Sequence, residues 1–306
     1  MPVALPWAVV VTDRRPRVHV TGPVPRRIDA ALSESFALVA RPQSADGILA
    51  LLTTSIDDEY LAAAGVQLKV VANYGAGVDN IDLEAARNRN VIVANTPDVV
   101  TESTAEIAIT LTLALLRRVA EGDRFLRARR PWNFHLEFML GESLRGKQFG
   151  VVGAGRIGRA TARLAEAHGA HVLHLGRGGD LQALLDAADV VSLHCPLTPE
   201  THHLIDAAAL ERMKPTAVLV NTARGQIVDE RALVAALASG SIAGAALDVY
   251  EHEPAVTEEL LAFENVVLTP HLGSATRATR EAMGLLAVHA LTELLLHGRR
   301  PANAVP

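Results

Sequence analysis

FGVVGAGRIGRATARLAEAHGAHVLHL, residues 149 to 175, decides the architecture. FGVV has the apolar texture of a buried strand, GAGRIG at 153–158 is a glycine-rich turn, RATARLAEAHG carries a helical period, and HVLHL reads as a second strand. A G-x-G-x-x-G turn alone is weak evidence. A strand before it, and a helix and strand after it, make it the first crossover of a dinucleotide-binding unit. Gly153 permits the tight turn, Gly155 lets the backbone approach a pyrophosphate, and Gly158 lets helix and strand pack closely. The amides opening the helix then receive the phosphates.

Downstream, DVVSLHCPL, AVLVNTARG, SIAGAALDVY and NVVLTPHLG read as four further strands, each ending in small or polar residues. Upstream, VHVTG at 18–22, FALVA, ADGILALLTT and LKVVANYG read as strands, and PRRIDAALSE as the helix after the first. WAVVV, within residues 1–17, is either an extra strand or an N-terminal extension. Strands alternating with helices in both halves predict an α/β fold of two doubly wound parallel sheets, with ligands at the carboxyl ends of the strands. Between the halves, TESTAEIAITLTLALLRRVAEGDRFL predicts one long helix from Thr101, with a capping box from Ser103 to Glu106. ITLTLALL reads as a core helix, with a subunit contact as the alternative. The last helix, REAMGLLAVHALTELLLHG, has apolar residues at helical spacing and ends at a glycine C-cap.

Bulk properties narrow the function. A chain of 306 residues exceeds one ordinary core, which favours two domains. The net charge is -5, and RARR at 127–130 reads as a solvated helix end, so no nucleic-acid partner is expected. Cys195 is the sole cysteine, which excludes an intrachain disulfide and fits a reducing compartment. No basic residue precedes the short apolar N-terminal stretch, as a signal peptide would require, and no apolar run approaches a membrane span. A cytoplasmic protein with no membrane association and no metal site is expected.

Three polar residues stand at or just beyond strand ends of the second unit: Arg224 in NTARG, Glu253 in DVYEHEP and His271 in TPHLG. Together they supply a carboxylate clamp, an orienting acid and a general acid, which is what reversible reduction of a 2-keto acid needs. GAGVD at 75–79 is a second glycine-rich turn. It reads either as a structural turn or as a nest of backbone N–H groups for a small carboxylate.

These residues lie in blocks whose order resembles one family over nearly the whole chain. NYGAGVDNID, GKQFGVVGAGRIG, CPLTPETHHLI, MKPTAVLVNTARGQIVDE, GAALDVYEHEP and NVVLTPHLGSAT resemble the D-isomer-specific 2-hydroxyacid dehydrogenases. MLGESLRGK and TPHLGSAT are most similar to the glyoxylate and hydroxypyruvate reductases within it. The resemblance implies a Rossmann-type cofactor domain, residues 100–274, inserted into a flavodoxin-like substrate domain, residues 1–99 and 275–306. It implies a homodimer built around residues 102–140.

It also implies roles. His271 would protonate the keto oxygen as hydride arrives from NAD(P)H, Glu253 would hydrogen-bond the imidazole, and Arg224 would clamp the substrate carboxylate. Tyr74, Gly75, Ala76, Gly77 and Leu52 would line the substrate site, and Glu253, in place of a glutamine, argues against formate dehydrogenase activity. Trp132 would either reach a neighbouring subunit's active site or pack within its own arm. Beside the three glycines, the cofactor would be met by Arg156, Ile157, Gly176, Arg177, Cys195, Pro196, Thr201, Thr222, Ala223, Asp248, Gly273 and Thr104.

A phosphoglycerate dehydrogenase would want a cation near a phosphate-bearing substrate. LLTTSIDDEY at 51–60, which resembles the family's substrate loop, has none and carries three acids, and no regulatory domain follows before Pro306. Glyoxylate and hydroxypyruvate are therefore expected. A non-catalytic NAD(P)-sensing protein is the alternative from another class, and no low-complexity interaction tail supports it.

HVLHL should hand an acid to the ribose about 20 residues after the last motif glycine. Gly176 stands there, 18 residues after Gly158, followed by Arg177. Without the acid a 2′-phosphate is not repelled, and a cation is at hand, so NADP(H) is expected over NAD(H). Asp189 follows Arg177 by 12 residues, of which LQALLDA takes seven as a helix, so an edge strand is expected to be missing.

Overall fold

A computed structural model describes residues 15–306, so WAVVV lies outside the described residues. The chain divides into two compact units, one of Met1–Pro97 with Glu281–Pro306, the other of Asp98–Arg280.

The first unit runs β1 (Arg17–Val20), α1 (Arg26–Ser35), β2 (Ala37–Val39), β3 (Gly47–Ala50), α2 (Asp58–Ala64), β4 (Val70–Asn73), α3 (Leu83–Asn88) and β5 (Ile92–Ala94). Its parallel sheet has the order β2-β1-β3-β4-β5, the flavodoxin-like arrangement. GILA and VVAN are apolar or neutral at every position because β3 and β4 are buried on both faces, as central parallel strands are. The elements α2, α3 and β5 have no counterpart among the sequence expectations.

The second unit opens with α4 (Thr101–Leu116) and α5 (Val119–Arg127). It continues through β6 (Gln148–Val152), α6 (Arg156–Ala167), β7 (His171–Leu175), α7 (Leu181–Ala187), β8 (Val190–Leu193), α8 (Ala207–Arg212), β9 (Val218–Asn221), α9 (Glu230–Ser239), β10 (Gly244–Leu247), α10 (Glu258–Ala262) and β11 (Val266–Leu268). α11 (Arg277–Leu295) then returns the chain to the first unit. Its first turn is tied to the loop before it, Arg280 Nε donating to the Ser274 carbonyl, so the units part after Arg280 rather than at the expected 274/275. The other junction falls at 97/98 instead of 99/100.

The second sheet has the order β11-β10-β9-β8-β6-β7, all parallel. A doubly wound nucleotide sheet runs 3-2-1-4-5-6, and removing its strand 3 leaves strand 2 at the edge. β7 is that edge. Its side chains are only partly buried, and a turn at 176–180 passes directly to α7, whose first amides are capped by Asp180. β8, β9 and β10 are buried throughout and send alternate residues to two cores: Val191, Leu193, Leu219 and Leu247 to one, Val190, Val218, Val220 and Ala246 to the other.

The helical region differs from expectation at both ends. α4 starts at Thr101 behind Val100, so Ser103 lies inside the helix and its buried hydroxyl donates back to the Val100 carbonyl; the Ser103–Glu106 capping box does not form. The expected single helix is two. The Glu142 N–H takes the Leu116 carbonyl at 2.8 Å, and Arg118 enters the left-handed region (φ 54°) with its guanidinium on Glu121, which ends α4 and starts α5. Ile109, Leu111, Thr112, Leu115 and Leu116 are buried within the unit. Among the described residues no helix is long and apolar enough to cross a membrane, and no cluster of metal-ligating side chains occurs.

Candidate active site

The carboxyl ends of β9, β10 and β11 bring Arg224, Glu253 and His271 into one unit. After β9, Asn221 shapes the turn. Its buried amide donates to the Arg224 carbonyl at 2.8 Å and accepts from the Ala223 N–H at 3.0 Å. Gly225 follows because a Cβ there would collide with the Tyr250 carbonyl, so the Arg224 turn is pressed against the backbone leaving β10.

Beyond β10 the chain turns back on itself, and the Tyr250 N–H donates to Glu253 Oε1 at 3.1 Å. Glu253 Oε2 lies 2.8 Å from His271 Nδ1. A carboxylate only accepts, so Nδ1 carries the hydrogen and Nε2 is left as the ring's other working atom. That atom has no partner among the described residues, and the ring is part-exposed. Burial pushes the Glu253 carboxyl up, but the His271 hydrogen bond and charge, the Tyr250 N–H and the Arg224 charge together hold it below the ordinary carboxylate value.

His271 sits in the left-handed backbone region (φ 53°), which an L-residue adopts only when its surroundings fix it. Asp248 is what fixes it. Its carbonyl accepts from the His271 N–H at 2.9 Å, and its buried carboxylate takes the Thr269 hydroxyl at 2.6 Å and the N–H groups of Leu272 and Gly273 at 2.7 Å each. Thr104 adds a hydroxyl on the Gly273 carbonyl at 3.3 Å. Asp248, Gly273 and Thr104, expected at the cofactor, therefore also build the turn that presents His271. Tyr250 closes it from below, donating to the carbonyls of Thr269 and Leu247. Burial, and then the Asp248 charge, push its phenol up to about 12.

The glycine-rich turn meets the geometric demands of a dinucleotide. A Cβ on Gly153 would fall on the backbone of His194 and Cys195 at the end of β8, and one on Gly158 would collide with the Gly153 carbonyl. Gly155 is different: nothing lies within 4 Å of where its Cβ would be, so the backbone there faces open space. At the end of β9 the Thr222 hydroxyl is buried with no partner, as an atom awaiting a ligand would be. These features fit a dinucleotide. Arg156 is exposed and paired with Asp98 at 2.6 Å, and Ile157 is half-buried. Thr201 braces the loop after Pro196, donating to the Pro196 carbonyl at 2.7 Å and accepting from the Thr198 N–H. Gly176 and Arg177 are exposed at the end of the edge strand. The Glu200 carboxyl is held below its ordinary value by the Thr198 hydroxyl first, then by its own amide and by the charge of Arg177.

His194 was not singled out in the sequence. Its Nε2 contacts the Ser192 hydroxyl at 2.9 Å, while Nδ1 is sealed from solvent without a partner, although the residue as a whole keeps some exposure. Burial pushes this imidazole down to about 4. An apolar strand ending in a single histidine was the available signal.

The remaining expected substrate residues belong to the first unit. Asn73, at the end of β4, is buried and donates to the Gly77 carbonyl at 2.7 Å, which curls residues 74–77 into a turn. Leu52 covers Gly75, where a Cβ would collide with its methyl groups. Asn95 holds the Ala76 carbonyl at 2.7 Å. Tyr74 is buried, its hydroxyl against Gly284 of α11, so its side chain packs the unit's interior. Trp132 stacks on Phe138 (centroids 5.8 Å, 16°) and stays half exposed, in a segment where Phe134, Leu136 and Leu140 are exposed as well.

The family model described as D-isomer specific 2-hydroxyacid dehydrogenase, NAD binding domain, matches residues 109–273. The glyoxylate reductase of Thermococcus litoralis is 42% identical over 285 residues, covering 88% of this chain and 86% of the relative. That of Korarchaeum cryptofilum is 42% identical, covering 95% and 96%. Among solved structures, the TT0316 protein from Thermus thermophilus superposes with a TM-score of 0.88 at 42% identity, covering 95% of this chain and 100% of that one. The NADPH-dependent glyoxylate/hydroxypyruvate reductase from Sinorhizobium meliloti, solved with NADP and malonate, gives 0.85 at 37% identity, covering 95% and 97%.

Proposed function

The chain belongs to the D-isomer specific 2-hydroxyacid dehydrogenases and is an NAD(P)-dependent oxidoreductase, and on that premise we propose that it reduces glyoxylate and hydroxypyruvate. The product is the 2-hydroxy acid, of D configuration where it is chiral. The observation that carries this reading is the His271 Nδ1–Glu253 Oε2 bond at 2.8 Å, with Nε2 of the same ring unpartnered among the described residues.

When bound, the reduced nicotinamide supplies a hydride to the substrate's keto carbon. The rest of the work is assigned to the chain. His271 Nε2 donates a proton to the keto oxygen and takes it back in the oxidative direction. Glu253 keeps Nδ1–H aligned throughout, so the ring cannot rotate Nε2 away, and its charge offsets that of the protonated ring. Arg224 pairs with the substrate carboxylate through a two-pronged guanidinium. In the first unit, the turn at Gly75, Ala76 and Gly77 is assigned a carboxylate-binding role.

Thr222, Gly155 and the amides opening α6 would hold the dinucleotide, with Arg156 beside its phosphates. NADP(H) is the preferred form in this reading, because Gly176 offers no carboxylate to the ribose and Arg177 offers a cation. The exposed apolar side chains of Leu126, Trp132, Phe134 and Leu136 support a homodimer formed through this arm, and a cytoplasmic setting is proposed with it.

Steady-state turnover of glyoxylate, hydroxypyruvate and phosphohydroxypyruvate, each with NADPH and NADH, tests the reading. Glyoxylate with NADPH is expected to give the highest kcat/KM. Folded protein that turns over no 2-keto acid would overturn the proposal, and a preference for phosphohydroxypyruvate would replace it with a phosphoglycerate dehydrogenase.

A further inference from the structure

A second histidine–glutamate pair stands in the same unit as the first and touches no reacting atom. His203 Nε2 lies 2.8 Å from Glu251 Oε1, with both side chains largely withdrawn from solvent. Glu251 is two residues before Glu253, on the same turn. From this arrangement we propose that His203 and Glu251 are positioning residues for the reaction, acting by fixing the turn that holds Glu253 against His271. The inference rests on the reading of Glu253 as partner of the acid–base imidazole.

Three segments meet at the pair. The first is the TPETHHL stretch, whose His203 is held in the left-handed region (φ 50°) with its N–H on the Gln226 carbonyl at 2.8 Å. The second is the short turn after Arg224, from which Gln226 Nε2 donates to the Glu251 carbonyl at 2.9 Å. The third is the start of α9, where Glu230, only 4% exposed, accepts the Glu251 N–H at 2.7 Å and the Thr257 hydroxyl. The amide of Glu251 is thus taken by Glu230, its carbonyl by Gln226, and its carboxylate by His203 at 2.8 Å and, more distantly, by the Glu230 N–H at 3.4 Å. Two residues later the carboxylate of Glu253 accepts from the Tyr250 N–H. Little of this turn is left to move independently.

The pair is more than local packing because of what it joins. Gly225 is jammed against the carbonyl of Tyr250, so the Arg224 turn and the Glu253 turn share a backbone contact. His203 and Gln226 close that contact into a ring: His203 to Gln226, Gln226 to Glu251, Glu251 back to His203. The ring therefore ties the carboxylate-clamp turn to the acid–base turn. Freed from His203, Glu251 would keep its backbone bonds and lose the shorter of the two bonds that set its side-chain direction, leaving only the Glu230 N–H on Oε2 at 3.4 Å. Glu253 Oε2 would then no longer be held at one distance from His271 Nδ1.

The test is a double-mutant cycle on kcat. A displacement of about 1 Å at a reacting group costs up to ~100-fold in rate, so the smaller slackening in H203L is expected to lower kcat about tenfold. KM for the dinucleotide should stay within about twofold of wild type, and H203Q, whose Nε2 reaches the same place, should restore at least half of kcat. In an E253Q background the same H203L change should have less than about a twofold effect, because it acts through Glu253.

Additive losses in the cycle, or a loss confined to KM for the dinucleotide, overturn the proposal. So does unchanged kcat in H203L. If H203L does not fold, E251Q carries the same cycle, with an expected drop of about threefold in the wild-type background and none in E253Q. Unchanged kcat in E253Q alone would sink the reading of Glu253 instead, so the two failures are distinguishable.

Discussion

Asp248 holds His271 through its backbone and the next two residues through its side chain. The His271 N–H reaches the Asp248 carbonyl at 2.9 Å, and the carboxylate spans the N–H groups of Leu272 and Gly273 at 2.7 Å each. The proposed acid–base residue is thus presented on a left-handed turn whose shape is dictated by a buried carboxylate 23 residues earlier in the chain.

Replacing that anion by its amide, D248N, puts an NH2 group where a backbone N–H needs an acceptor. Bonds to a charged acceptor contribute about 1.5–3 kcal/mol each, and leaving a buried donor unmet adds to the loss, so D248N is expected to cost about 2–4 kcal/mol of stability. Urea denaturation measures this, and kcat should fall at least about tenfold as the His271 turn relaxes. A variant with wild-type midpoint and wild-type kcat would contradict the arrangement.

The ribose end offers a gain-of-function test. Nothing lies within 4 Å of a Cβ built on Gly176, and its backbone is not left-handed, so G176D introduces a carboxylate without strain. The acid would accept from ribose hydroxyls and repel a 2′-phosphate. The ratio of kcat/KM for NADPH to that for NADH should fall by about tenfold or more in G176D, and by a comparable factor in R177A, each charge contact contributing about 1.4 kcal/mol. An unchanged ratio in R177A would remove Arg177 from the specificity argument.

Gly158 should admit no substitution. A methyl group there would strike the Gly153 carbonyl, forcing α6 away from β6 and spoiling the turn between them. G158A is expected to raise the dissociation constant for NADPH by more than ~100-fold and to lower the melting temperature, as overpacking against backbone costs about 1–3 kcal/mol. Titration of NADPH fluorescence measures the first, and wild-type affinity would contradict the close approach.

His194 makes stability sensitive to acid. Its folded pKa lies near 4 because the ring is buried, against the ordinary 6.5. A base with a depressed folded pKa contributes its stability fully above the unfolded value, and that contribution is lost as pH falls toward the folded one. Stability should therefore decline between pH 6.5 and about 4, by at most about 3.5 kcal/mol from this residue at ~1.4 kcal/mol per unit. H194Q should flatten that slope in urea melts at pH 7, 5.5 and 4.5; an identical slope would show that the decline comes from elsewhere.

The parts of the molecule that could be read in advance are those where neighbouring residues act together. GAGRIG lies between a strand and a helix, and the structure keeps it there, between β6 and α6. Arg224, Glu253 and His271 stood out because each follows an apolar strand. The absent edge strand followed from counting residues between Arg177 and Asp189, and the sheet indeed ends at β7. Hidden from the sequence were effects made by residues distant in the chain. The break at Arg117 depends on Glu142 capturing the Leu116 carbonyl, and the helical period of RRVAEGDRFL continues past it undisturbed. His203, Glu230 and Glu251 are ordinary polar positions until the fold brings them together. Ser103 looked like a cap because a serine three residues before a glutamate is one, unless the helix has already begun.

The first unit is assembled from the two ends of the chain, and this bears on how the protein comes off the ribosome. Gly47 of β3 is covered by Leu291 and Leu295 of α11, and the backbone of Val93 in β5 receives the N–H of Val305. None of these partners exists until residues 291–305 are synthesised. The second unit, continuous from 98 to 280, has its whole sequence available first and can close on its own as it emerges. The nascent N-terminal strands meanwhile wait with one face of β3 and the edge of β5 bare, at ~5–20 residues per second for about 200 residues. That interval, rather than the finished enzyme, is where a chaperone would matter most.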